Sequence, residues 1–215
     1  LHAEALAHLW AARSDRQRAE VEAYRARHGR PLELWATFCA LADVHGPDWT
    51  SWPEALRHPD GAAVAEAASP VADRLAFHAW VQLLLERQLD VVADLGVRLV
   101  QDLAIGVDPR GADGWALQDL LALDVSVGAP PDDFAPQGQS WGLPPFIPWR
   151  LRDAGYRPLA ELLRAGMLPG GGLRVDHVMG LARLFWIPAN SDPADGTYVR
   201  FAGRELLEVL AMESA

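Results

Sequence analysis

The sequence predicts an α/β fold: part of a parallel (β/α)8 TIM-type barrel, largely helical, with a large helical portion in its first ninety residues. Three observations predict it. Helical periodicity dominates residues 1–95. The period then shortens to that of a strand at 97–103. A second strand-like run at 173–178 follows another helical stretch. Helix, strand, loop, helix, strand, helix is the order expected of parallel β/α units. Two strands are too few to close a barrel. The expected organisation is therefore a helical subdomain over residues 1–95 and a partial barrel over 96–215 that carries the chemistry.

Residues 1–28 read as one helix, with Leu6, Leu9 and Trp10 at helical spacing. Gly29-Arg30-Pro31 ends it. Residues 32–45 form a second helix with Leu34, Trp35, Phe38, Leu41 and Ala42 on one face. Trp49 to Pro53 is a loop, a short helix follows near 53–58, and the Ala-rich residues 59–72 fit no single element. Residues 72–95 show the strongest helical pattern, through Leu75, Phe77, Trp80, Leu83, Leu84, Leu89 and Val92, with Gly96 as C-cap. Val97 to Leu103 reads as a strand. The Gly- and Pro-rich segment 104–150 reads as a long functional loop or insertion. Residues 150–167 return to helix, 173–178 form the second strand, and 203–215 close the chain as a helix carrying Leu206, Leu207, Leu210 and Met212.

Bulk composition excludes several classes of function. A net charge of −10 argues against nucleic-acid and anionic-membrane surfaces. No run approaches the roughly 20 apolar residues of a membrane span. The single Cys39 excludes an internal disulfide and a Cys-based zinc cluster, and it fits a reducing, cytoplasmic setting. Nine of the eighteen aromatic residues are Trp, whose flat faces fill cores or stack on sugar rings.

The chemistry concentrates in Leu173-Arg174-Val175-Asp176-His177-Val178. On a strand, Arg174 and Asp176 leave the same face. Three polar groups in a buried strand are costly unless they pair or react. A guanidinium beside a carboxylate stabilises its negative charge, which is what a carboxylate nucleophile needs. Asp102 sits near the C-terminal end of the other strand, the end that carries active sites in barrels. In the long loop, Gln139 offers amide groups and Trp141 a flat face, as a subsite for a polyhydroxylated ring would. The same residues also fit an ordinary Gly/Pro turn cluster.

Five ordered strings carry a family resemblance: QDLAIGV (101–107), ADGW (112–115), GAPPDDF (128–134), GQSWGLP (138–144) and LRVDHVMG (173–180). From about Phe38 onward the chain resembles the glycoside hydrolase group of 4-α-glucanotransferases, also called amylomaltase or disproportionating enzyme. WTSWPEAL (49–56) and FHAWVQLLLERQ (77–88) resemble that family's helical insertion. The resemblance implies retaining transfer of α-1,4-glucan segments between maltodextrins, with no metal and no organic cofactor. It places Asp176 as nucleophile and Arg174 as the group that holds it charged. It places His177 and Asp102 at the −1 sugar, and Trp141, Gln139 and Asp132 in a loop over the donor glucan. It also suggests a substrate contact for Trp115. Ala104, Ser140 and Met179 depart from the family pattern, where Pro, Asn or Asp, and Arg are frequent. Those departures bear on acceptor preference.

A retaining glycosidase needs a second carboxylate, the acid/base, about 5–5.5 Å from the nucleophile. The family carries it in a Glu-Asp-Leu-Gly string on the next strand, and that string is not among these 215 residues. Glu205, Glu208 and Glu213 fall on the closing helix and read as its solvated face. The chain also opens at Leu1 without a Met. The expectation is a piece of a catalytic barrel that is inactive alone and self-associates through exposed strand edges. The alternative is a non-catalytic glycan-binding or scaffold module. Metal-dependent hydrolysis by Asp176 and His177 is disfavoured, because adjacent strand residues point to opposite faces. Gly170-Gly171-Gly172 lacks the Lys-Ser/Thr of a phosphate loop.

Overall fold

A computed structural model describes residues 2–96, 98–167 and 171–214. Leu1, Val97, Gly170 and Ala215, each given a place in the sequence reading, lie outside the described residues. The chain divides into two compact units: Leu1–Val92 with Arg110–Ala116, and Ala93–Pro109 with Leu117–Ala215. The short segment 110–116 thus joins the helical unit rather than its sequence neighbours.

The helical unit opens with α1 (His2–Ala11) and α2 (Asp15–His45). The single helix predicted over 1–28 is two helices, because Ser14 starts a new one. Its hydroxyl accepts from the Gln17 N–H, and the Gln17 side chain accepts from the Ser14 N–H. This reciprocal capping box satisfies two donors that a helix start leaves open. The predicted break at Gly29 is present as a kink: Gly29 is non-helical (φ 59°, ψ −143°) and Pro31 follows. Two short 3-10 turns, Trp49–Ser51 and Glu54–Leu56, lead to α3 (Ala62–Ala68) and α4 (Ala72–Asp94). Gly96 takes the positive φ of a C-cap residue.

Trp10, Val21, Tyr24, Phe77, Trp80 and Leu83 form one core cluster of this unit. Phe38, Leu41, Trp49, Trp52, Leu56 and Trp115 form another. Trp115 lies on α5 (Ala112–Ala116), is 0% exposed, and donates its indole N–H to the Leu56 carbonyl at 3.1 Å. Its ring sits 6.0 Å from Trp52 and 5.9 Å from Phe38. Burial, with the negative charge of Asp43 nearby, pushes the Cys39 thiol up to about 11.

The second unit holds two sheets. β1 (Val100–Leu103) pairs in parallel with β4 (Gly172–Val175), setting Asp102 opposite Arg174. Leu103 and Leu173 pack against Leu151 of α6 (Pro148–Asp153), Leu159 and Leu163 of α7 (Arg157–Gly166), Tyr156 between those helices, and Leu206 of α8 (Gly203–Glu213). The single helix predicted over 150–167 breaks between α6 and α7, where Gly155 and Tyr156 take positive φ.

The second sheet corrects the reading of 104–150 as a loop. β2 (Val125–Ala129) and β3 (Gln139–Leu143) lie inside that segment and form a four-stranded antiparallel sheet, in the order β3-β2-β5-β6, with β5 (Arg183–Pro188) and β6 (Thr197–Arg200). Neither β5 nor β6 was anticipated. Gly128 looks like a loop glycine in sequence. It is a strand residue because a Cβ there would lie 1.9 Å from the Gln139 carbonyl oxygen. Its missing side chain lets β3 approach.

Two outcomes follow from the helical unit. Trp115→Ala is expected to cost about 3–5 kcal/mol in denaturant unfolding, as a large cavity in a packed aromatic cluster does. Native Cys39 is expected to alkylate at pH 8 about a hundredfold more slowly than a free thiol, with the difference vanishing in denaturant.

Candidate functional site

The second strand ends earlier than its sequence suggests. β4 stops at Val175, and Asp176 and His177 form the turn that follows. His177 takes a left-handed conformation (φ 47°) just before the 3-10 turn Val178–Leu181. Arg174 and Asp176 are therefore not related by strand alternation. The argument that adjacent strand positions prevent Asp176 and His177 from sharing an ion also loses its basis. Among the described residues no group of three or more His, Cys, Asp and Glu side chains is arranged to hold a metal.

Arg174 nonetheless joins both carboxylates. One guanidinium nitrogen lies 3.1 Å from an Asp102 carboxylate oxygen and 3.3 Å from the other. A second nitrogen lies 3.5 Å from Asp176. The side chains of Arg174, Asp102 and Asp176 are 62%, 63% and 65% exposed. The expectation of a buried ionic strand is thus corrected. The charged groups line the open face at the shared C-terminal edge of β1 and β4, while Leu103 and Leu173 pack against the helices. Their desolvation cost is small, and both carboxylates remain accessible to a reactant.

A second group adjoins the first through His177. The Trp141 ring meets the His177 ring edge-on, with centroids 5.3 Å apart at 87°. The Trp141 indole N–H donates to the Gln139 amide oxygen at 3.0 Å. One apolar ring face beside amide groups suits a ligand with both C–H and O–H surfaces. Of the sequence-predicted residues, six meet here: Asp102, Arg174, Asp176, His177, Trp141 and Gln139.

The other two are held by different contacts. Trp115 is sealed in the helical core, with its indole N–H occupied, and has no exposed face for a substrate. Asp132 holds its own loop: its carboxylate accepts from the N–H groups of Phe134 and Ala135, and its N–H donates to the Ala135 carbonyl. This Asx turn presents Phe134, 98% exposed, at its tip. In the sequence, Phe134 follows Pro-Pro-Asp-Asp directly within GAPPDDF. A cavity of about 280 Å³ lined by Trp10, Arg13, Arg18 and Arg25 contains none of the predicted residues.

Comparison with known proteins gives this arrangement a context. A glycoside hydrolase 77 family model, described as 4-alpha-glucanotransferase, matches residues 1–215. A 4-alpha-glucanotransferase of Mycobacterium tuberculosis is 45% identical over 198 residues, covering 89% of this chain and 27% of that protein. One from Thermus thermophilus is 34% identical over 207 residues, covering 91% and 41%. The crystal structure of amylomaltase from Corynebacterium glutamicum superposes with a TM-score of 0.79 at 35% identity, over 99% of this chain and 29% of that one. Amylomaltase from Streptococcus agalactiae in complex with acarbose shares the fold, with a TM-score of 0.80 at 19% identity over 93% and 43%. The chain thus spans between 27% and 43% of the length of these relatives.

Removing the Asp132 carboxylate frees two backbone N–H groups at the loop tip. Asp132→Ala is expected to speed chymotryptic cleavage after Phe134 about fivefold with the unfolding midpoint little changed. An unaltered cleavage rate would show that Asp132 does not hold the turn.

Proposed function

Because this chain belongs to the 4-alpha-glucanotransferase family of glycoside hydrolases, we propose that it carries the nucleophile half of a retaining α-1,4-glucan transfer site. β1 and β4 are read as neighbouring strands of a (β/α)8 barrel, with Asp102, Arg174 and Asp176 at its C-terminal face. The observation that carries the reading is the Arg174 guanidinium, which spans from Asp102 to Asp176 at that edge.

In the proposed reaction an Asp176 carboxylate oxygen attacks the anomeric carbon of a donor glucan. The glycosidic C–O bond breaks, and the leaving 4-oxygen takes a proton from an acid/base. The product is a β-glucosyl ester on Asp176. An acceptor sugar then gives its 4-hydroxyl proton to the same acid/base and displaces Asp176, restoring the α-linkage. Neither step calls for a metal or an organic cofactor. Arg174 stabilises the nucleophile before attack and as it leaves. Asp102 and His177 contact the −1 sugar, and Trp141 and Gln139 contact the donor chain. Among carboxylates, Arg174 engages Asp102 and Asp176. Asp102 accepts from Arg174 and is assigned to sugar binding rather than to proton transfer. The acid/base is assigned to residues other than the 215 of this sequence.

The chain alone is then expected to bind maltoheptaose, with a change in Trp fluorescence, and to release no glucose from maltotriose. Trp141→Ala is expected to weaken binding about tenfold. Glucose release would overturn the assignment of the acid/base. An unchanged signal from folded protein, repeated with acarbose, would overturn glucan binding itself.

A further inference from the structure

Trp141 does not stand on a regular strand. β2 and β3 pair Val127 with Leu143 and then Gly128 with Ser140, so one step along β2 corresponds to three along β3. Trp141 and Gly142 are the extra residues, and Gly142 takes the positive φ (70°) that the turn of the bulge requires. A bulge of this kind aims a side chain away from the sheet, and it also takes backbone N–H groups out of the ladder.

One side chain gathers those loose ends. The Ser126 hydroxyl oxygen accepts from the Gly142 N–H at 2.8 Å and from the Ser140 hydroxyl at 2.9 Å, and it donates to the Val127 carbonyl at 2.9 Å. A hydroxyl has one donor and two acceptor positions, so all are in use. Ser126 is itself fixed, because β2 pairs it with Ile187 of β5 on the side away from β3. Its hydrogen bonds flank Trp141 on both sides, at residues 140 and 142.

We propose that Ser126 is a positioning residue for Trp141. Its hydroxyl clamps the bulge of β3 so that the indole is held edge-on to His177 and within reach of Gln139. Ser140, which departs from the family pattern, is the second half of the clamp. The proposal rests on the glucan reading for its consequence, but the clamp can be measured without any ligand.

The test uses protein labelled with 5-fluorotryptophan, with the Trp141 resonance assigned by its loss in Trp141→Phe. Ser126→Ala is expected to shift and broaden that resonance while leaving the other eight in place. Ser126→Thr, which keeps the hydroxyl and suits a strand, is expected to restore it. Maltoheptaose affinity falls about three- to tenfold in Ser126→Ala and recovers in Ser126→Thr. A Trp141 resonance unmoved by Ser126→Ala would overturn the proposal, as would failure of the threonine to restore it. If the alanine variant does not fold, Ser126→Cys, a weaker acceptor of similar size, is read in its place by the same criteria. If Trp141→Phe leaves maltoheptaose affinity unchanged, the glucan role of Trp141 fails, and the resonance shift still decides the clamp.

Discussion

The parallel register of β1 on β4 is the constraint on which the candidate site depends. It places Asp102 opposite Arg174, and from there the guanidinium reaches Asp176 in the turn beyond the strand. A planar cation with five donors can serve two carboxylates in this way; an ammonium group would offer a point charge without the fork. The register is held from the other face, where Leu103 and Leu173 pack against α6, α7 and α8. Side chains alternate along a strand, so a slip of one residue would turn the charged groups toward those helices and the leucines toward solvent.

The aromatic side of the site is built by a different device. An antiparallel sheet with one bulged strand lifts Trp141 out of the ladder, and the close approach allowed by Gly128 makes the pairing possible. The two parts meet at the turn after β4. Asp176 there answers to the guanidinium, and His177, in a left-handed conformation, answers to the indole. Adjacent residues thus serve two separate contact networks. The tight turn that ends β4 is what sends their side chains to different partners.

Much of the helical unit was legible in its periodicity. The pattern from Leu75 through Leu83 marked the buried face of α4, and Gly29 and Gly96 marked a break and a cap where the backbone has them. The missed break at Ser14 was also legible, since Ser-Asp-Arg-Gln is a capping-box spacing. The sheet strands were less so. β2 contains Gly128 and β3 contains Gly142, and both look like loop residues until the neighbouring strand is in place. β5 carries a nearly continuous apolar run, which periodicity alone does not tell from a helix segment.

The sequence by itself determined the chemistry available: an Arg, an Asp and a His in one short run, an Asp near the end of an earlier strand, a Gln-Ser-Trp-Gly string, and five ordered motifs of one family. Composition and local order suffice for that, because they depend on residue identity and spacing. Only the tertiary structure decided which of these residues meet. It brought Asp102 to Arg174 across 72 residues of sequence, left the Asp132 carboxylate to its own turn, and sealed Trp115 in the helical core. It also exposed the ionic groups that the sequence placed in a buried strand. The reason is physical: a side chain's partner and its exposure depend on what the rest of the chain packs against it, and that is not encoded in the neighbours it has in sequence.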